Sequence, residues 1–377
     1  MKLIIPQEKL KEGLNIVERI SSKSLTLPIL NNILISTEKS FLNLSATDLE
    51  IGINWWGLAK IEKEGKITIS SRLFSNFINL LPNEKIEIKT ENNDIFIECK
   101  NYKTKIKGIE ADEFPIIPKI SKKEFITINS SFFCQNISQI VDIPVLSTTK
   151  PEISGIYFLF QKNLITVAAT DSFRLGEKKI IIKENNNSLE NDYSLILPQK
   201  TVKEIINIFS DKEEDLNIYF SSNQIMFESF ITELKHPEIQ IISRLIDGEY
   251  PNYKEIIPSK FETQIIVNKN EFINQLKLAS LFSGKTNEII IKTNIDKNEI
   301  NILSQNQGIG EYKSSILSKI KGKEVEVCFN YKFLLDAFLN IKSSEVVIEL
   351  NGDSGPGVLK PIGDDSYLYV VMPIKLN

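Results

Sequence analysis

Two periods of apolar and polar residues alternate along this chain, and the switch between them recurs. Leu3-Ile4-Ile5 reads as a short strand, and Leu10, Leu14, Val17 and Ile20 follow at helical spacing. A similar passage begins at Phe125, with Ile126-Thr127-Ile128-Asn129 leading into Ser130-Ser131-Phe132-Phe133. Another begins at Ile265, where Ile266-Val267-Asn268 leads to Phe272, Leu276 and Ala279. In each, β-branched residues run into a polar residue suited to opening a helix.

A second pattern, strand–helix–strand, also occurs three times: TISSRLFSNFINLLPNEKIEIK from Thr68, LILPQKTVKEIINIFSDKEEDLNIYF from Leu195 and EVCFNYKFLLDAFLNIKSSEVVIEL from Glu326. Both series repeat at about 125–140 residues, far beyond the roughly 20–50 residues of a solenoid repeat. The expectation is three homologous domains, 1–120, 121–246 and 247–377. Asp112-Glu113-Phe114-Pro115 and Asp247-Gly248-Glu249-Tyr250-Pro251 stand at matching exits, where Pro denies a ladder donor. Alternating stretches such as Ile95–Cys99 and Glu299–Leu303 fill the remainder, with turns at Asn92-Asn93, Asn185-Asn186-Asn187 and Asn351-Gly352. The fold class this predicts is α+β, each domain having two helices on antiparallel sheets.

Composition narrows the function. Of 377 residues 42% are hydrophobic and 25% charged, which excludes a disordered tail, a collagen-like fibre or a coiled-coil rod. No apolar run reaches the 18 residues of a membrane-spanning helix, and the start turns polar too early for a signal peptide. Cys99, Cys134 and Cys328 are distant and odd in number, as expected of reduced thiols in a cytoplasmic protein. A single histidine counts against His-based metal sites and triads.

The net charge of -4 does not point to nucleic acid, but its distribution does. Windows 7–23, 71–80, 130–141, 199–209, 269–285 and 331–342 hold twelve basic residues against six acidic, leaving the rest of the chain at -10. Two readings fit: solvated helix faces, or one electropositive surface on an acidic body. A surface of that kind holds phosphates without reading sequence.

Catalytic constellations are weak. Ser283-Gly284-Lys285-Thr286 resembles the end of a phosphate loop, yet Ala279 stands where the motif needs Gly, and a helix precedes it. Asp48 and Asp171 follow Thr at similar strand ends, a place where carboxylates satisfy turn amides. His236, beside Pro237, reads as a surface loop residue, and Gly352–Gly357 as a turn between strands. No catalytic residue, metal ligand or cofactor is assigned.

Five passages, in order, carry a resemblance: Leu25-Thr26-Leu27-Pro28-Ile29-Leu30-Asn31-Asn32, Ala46-Thr47-Asp48-Leu49-Glu50, Ala169-Thr170-Asp171-Ser172-Phe173-Arg174-Leu175, Leu245-Ile246-Asp247-Gly248-Glu249-Tyr250-Pro251-Asn252-Tyr253 and Tyr369-Val370-Val371-Met372-Pro373-Ile374-Lys375-Leu376. The chain resembles the bacterial DNA polymerase III β subunits, the sliding clamps, over its full length. The resemblance implies a non-catalytic processivity factor, a head-to-tail homodimeric ring around double-stranded DNA. It implies backbone contacts from Lys9, Lys23, Arg72, Lys150 and Lys200. It implies a cleft for peptides of the polymerase III α subunit, the clamp loader and other replication and repair proteins. The cleft would be walled by Ile153, Gly155, Thr170, Arg174, Leu175, Pro251, Ile256, Asn330, Phe333, Val370, Met372, Pro373 and Ile374. Phe173 stands where the family often has His, and Glu255 where it can have a basic residue. Ring closure would bring Leu281 and Phe282 to Thr104 and Ile106 of a second copy.

Two other classes compete. A metal-dependent phosphoryl-transfer enzyme would use Asp48, Asp171 and Asp247, and an adaptor would bind peptides but never DNA.

Overall fold

The computed structural model describes residues 1–21, 26–147, 149–183 and 187–375. Six helices form among them: α1 (Gln7–Val17), α2 (Ser71–Leu80), α3 (Ser130–Ile137), α4 (Gln199–Phe209), α5 (Lys269–Ser280) and α6 (Tyr331–Asn340). Each is short, so packing of one apolar stripe, not propensity, holds it. Leu10, Leu14 and Val17 are buried on α1, Val202, Ile205 and Phe209 on α4, and Phe272, Leu276 and Ala279 on α5. Asn268 and Asn330 cap α5 and α6, their side chains accepting from the Glu271 and Lys332 amides at 3.1 and 3.0 Å.

Helices of one repeat pack in pairs. Phe272 of α5 stacks on Phe338 of α6 with ring centres 4.3 Å apart. Between α3 and α4, Cys134 Sγ approaches the Ile205 carbonyl at 3.6 Å. Windows 71–80 and 199–209 coincide with α2 and α4. The other four overran. In three, buried residues past the helix end keep the apolar period: Ile20 in a 3₁₀ turn, Ile140 and Val141 in turns, and Ile341. The fifth window runs instead into the half-buried Phe282 and polar turn residues.

All strand pairing is antiparallel, in sheets of thirteen, nine and four strands. The chain packs as two compact units. The first comprises Met1–Cys134, Lys183–Asn191 and Lys203–Leu245, and the second Gln135–Ile182, Asp192–Val202 and Ile246–Asn377. The central repeat is shared out between them, so packing does not follow the three repeats. The reason is edge pairing: strand Ile51–Leu58 of the first repeat bonds to His236–Arg244 of the second. Likewise, strand Arg174–Ile181 of the second bonds to Tyr367–Val371 of the third. Edges that would stand open are thereby joined into continuous sheets.

The repeated Thr-Asp corners are built alike. Thr47 Oγ1 donates to the Ile51 carbonyl at 2.9 Å, and Asp48 Oδ1 accepts from the Glu50 and Ile51 amides at 3.0 and 2.8 Å. Thr170 Oγ1 donates to the Arg174 carbonyl at 2.8 Å, and Asp171 Oδ1 accepts from the Phe173 and Arg174 amides, both at 3.0 Å. The corners hold Leu49 and Ser172 at φ 77° and 76°. These aspartates tie turns, as their position after a strand suggests.

His236 corrects its sequence reading. It opens a strand, and its ring stacks on Phe41 with centres 3.7 Å apart, so an aromatic neighbour from another repeat covers it. Gly352–Pro356 does lie in the turn between strands Glu345–Leu350 and Gly357–Pro361, and Gly357 opens the second of them.

Candidate partner-binding cleft and nucleic-acid interface

The Arg174 corner organises a cleft in the second unit. Gly176 and Leu175 lie on a strand paired with Tyr369 and Val370, which brings the Thr170 corner beside the end of the chain. The Met372 amide donates to the Phe173 carbonyl at 2.9 Å and the Ile374 amide to the Cys328 carbonyl at 2.8 Å. The segment after Pro251 covers the third side. These walls enclose about 380 Å³, and the apolar surface comes from Ile153, Leu175, Pro251, Ile256, Val370 and Met372. A concave, largely apolar site with few polar groups is the usual form of a ligand pocket.

Arg174 is 9% exposed and fully engaged. Its Nε donates to Asp171 Oδ2 at 2.9 Å, Nη2 to the Asp142 carbonyl at 3.3 Å and Nη1 to Asp336, and its guanidinium lies 4.8 Å from the centre of the Phe333 ring. It therefore shapes the cleft as a wall instead of offering a free charge. Tyr253 sits beneath, its Oη donating to Glu177 Oε2 at 2.6 Å. Burial, then the bond to Glu177, pushes the Tyr253 phenol well above its ordinary range. Burial does the same to Tyr250.

Of the thirteen cleft residues expected, eight line this cavity: Ile153, Thr170, Arg174, Leu175, Pro251, Ile256, Val370 and Met372. Phe333 backs Arg174, and Asn330 caps α6. Pro373 and Ile374 continue from Met372, half-buried. Gly155 sits behind the wall, where a Cβ would come within 2.5 Å of Ile196 and 2.7 Å of Ile246. Lys150, Glu152, Ser172, Asn252 and Tyr253 line the cavity without having been assigned to it. Lys150, expected at the DNA backbone, is exposed and also lines the cleft. The sequence does not single out Tyr253, because an aromatic in a loop carries no sign of the buried carboxylate it will meet.

The other expected DNA contacts are distributed over the helices. Lys9 is exposed on α1 but bonded to Glu12 at 2.9 Å, which, chiefly through that hydrogen bond, raises its pKa. Arg72 is exposed on α2, and Lys200 at the start of α4. Lys23 lies outside the described residues. Some of the helical positive charge is engaged internally: Arg19 Nε bonds Glu204 at 2.6 Å, and Lys269 Nζ the Ile341 carbonyl.

Thr104 and Ile106 lie on strand Tyr102–Ile109, which pairs along one side with Asp94–Cys99 but on the other only through Gly108 and Ile109. Among the described residues, 102–107 thus leave an open edge. Thr104 is half-buried and Ile106 buried at 6% exposure, so only its main chain faces that edge. Leu281, 64% exposed, follows α5, and Phe282 stacks on Tyr312 of the strand Gly310–Leu317, whose outer edge is also unpaired among the described residues.

Comparison with known proteins decides the lineage. Models of the N-terminal, central and C-terminal domains of the DNA polymerase III beta subunit match residues 1–118, 127–252 and 254–375. The chain belongs to the DNA polymerase III beta subunit family. The beta sliding clamp of Staphylococcus aureus is 28% identical over 385 residues, covering 100% of this chain and 99% of the relative. The sliding clamp structure from Bacillus subtilis superposes with a TM-score of 0.93 at 26% identity, covering 100% of both chains. A structure of a DNA polymerase III beta subunit from Eubacterium rectale gives 0.91 at 27% identity, covering 99% of both chains. Three clamp domains, a sliding-clamp role in replication and the absence of an enzymatic activity follow from this membership.

Proposed function

We propose that two copies of this chain close head to tail into a ring around duplex DNA and hold the replicative polymerase and other proteins there through the 380 Å³ cleft. Full-length membership in the clamp family carries this reading. Two observations on the molecule support it. The unpaired strand edges at 102–107 and 310–317 lie in different units, as a head-to-tail contact requires. Exposed cations on α2 and α4 suit weak contacts with phosphates.

In this reading Arg72 and Lys200, with Lys9 and Lys23, approach the DNA backbone. Lys150 serves the mouth of the cleft. A ring linked topologically to DNA slides freely while raising the effective concentration of a tethered polymerase. The partners are the polymerase α subunit, the clamp loader and other proteins carrying a clamp-binding peptide. The domain limits are those of the sequence reading, 1–120, 121–246 and 247–377, and the site of action is the cytoplasm. No helix among the described residues is long and apolar enough to cross a membrane.

The test is retention on nicked circular DNA after loading. The ring is expected to stay on the closed circle and to run off when the circle is cut. Retention that survives linearisation sinks the topological reading, and an adaptor that binds peptides is never retained.

A further inference from the structure

The first unit contains a second construction of the cleft. The corner Thr47–Ile51 repeats Thr170–Arg174 bond for bond, and the next residue is Gly52 in one and Leu175 in the other. Gly52 pairs with Ile242 as Leu175 pairs with Val370. The Arg244 amide donates to the Glu50 carbonyl at 2.9 Å, as the Met372 amide does to Phe173. Over each corner runs the exit segment of a repeat: Phe114-Pro115-Ile116-Ile117 here, Tyr250-Pro251-Asn252-Tyr253 there.

The cavities differ nonetheless. The first measures about 80 Å³ and the second about 380 Å³. One side chain stands where the first cavity would otherwise deepen. Ile117 lies directly over Gly52, where a Cβ would come within 2.8 Å of its Cγ2, and packs on the cluster containing Ile242. Its counterpart Tyr253 is held down by Glu177 at 2.6 Å, which leaves Leu175 and Val370 lining open space. The strand position matching Glu177 is Asn54, which accepts from Ser45 at 2.7 Å.

We propose that the first junction is a cryptic second peptide cleft, occupied in cis by Ile117. The chain thereby offers one peptide site and not two. Removing that side chain opens a seat for the same class of ligand, a peptide that presents large apolar side chains to apolar walls. This rests on the reading of the second cleft as a peptide site.

The experiment counts bound peptide per full-length chain by titration calorimetry, using a hexapeptide that carries adjacent Leu and Phe. Wild type is expected to bind one, and Ile117→Ala two. Gly52→Leu/Ile117→Ala gives the corner the wall residue that lines the second cleft, Leu175. It is expected to bind two as well, and it covers the case in which the single variant fails to fold. One peptide on either folded variant overturns the inference, as does two on wild type. No binding to wild type instead overturns the reading of the second cleft.

Discussion

Asp171 holds Arg174 twice, accepting its main-chain N–H at 3.0 Å through Oδ1 and its Nε at 2.9 Å through Oδ2. One carboxylate thus sets both the corner of the strand and the direction of the guanidinium that walls the cleft. Loss of Arg174 leaves Asp171, with 6% of its side chain exposed, without its cation. Arg174→Ala is expected to lower stability by about 2–4 kcal/mol in urea denaturation and to weaken peptide binding ~10-fold or more. Arg174→Lys is expected to recover only part of either, because an ammonium cannot reach several acceptors in one plane. Full recovery by Lys would mean that charge alone matters.

Ring closure through the open edges predicts that Leu281→Asp with Phe282→Asp gives monomers. Leu281 is 64% exposed, and the acidic pair would place unpartnered carboxylates in an apolar contact. Light scattering should show half the mass of wild type with unchanged helical content. A dimer that persists counts against this contact.

Charge reversal on the helices separates sliding from tethering. Arg72→Glu with Lys200→Glu is expected to lower affinity for linear duplex and to flatten its dependence on salt by about two phosphate contacts. Peptide binding should not change. An identical salt slope for variant and wild type would remove both residues from the DNA face.

The thiols are protected. Burial pushes Cys134 up to about 12, and burial followed by Glu288 pushes Cys328 up to about 11. At pH 8 native Cys328 is thiolate in roughly one molecule per thousand, so alkylation should be slow until the chain unfolds. Both thiols keep their proton to higher pH when folded than when unfolded. Their contribution to stability is therefore constant below about pH 8.5 and falls as pH rises toward 11 and 12. Rapid labelling of native protein at pH 8 contradicts this burial.

Glu228, with no exposed side-chain surface, receives Lys122 Nζ at 2.6 Å. Lys122 comes from the segment that joins the first two repeats, and its ammonium also lies 5.5 Å from the Tyr219 ring centre. Lys122→Met is expected to cost about 2–3 kcal/mol, less than a fully buried pair because Lys122 is partly exposed. Adding Glu228→Gln should recover most of the loss. Equal losses in the single and double variants would show that the pair is not coupled.

The periodic pattern alone determined a good deal: six helices, antiparallel strands, three repeats and turn-tying aspartates at strand ends. It could do so because which face of a helix or strand is apolar is a local property, readable from residues three, four or two positions apart. The family resemblance likewise pointed to eight of the cavity-lining residues, six of them inside the five passages. What local order could not convey was which edges join. Strand 51–58 meets strand 236–244 across nearly two hundred residues, and that pairing regroups three repeats into two packed units. The same holds for Tyr253 finding Glu177, Lys150 reaching the cleft mouth, and His236 finding Phe41. Ile117 lying over Gly52 is the plainest case, since nothing near Thr47–Ile51 in sequence announces it. Such contacts depend on distance in space, and only the folded chain sets it.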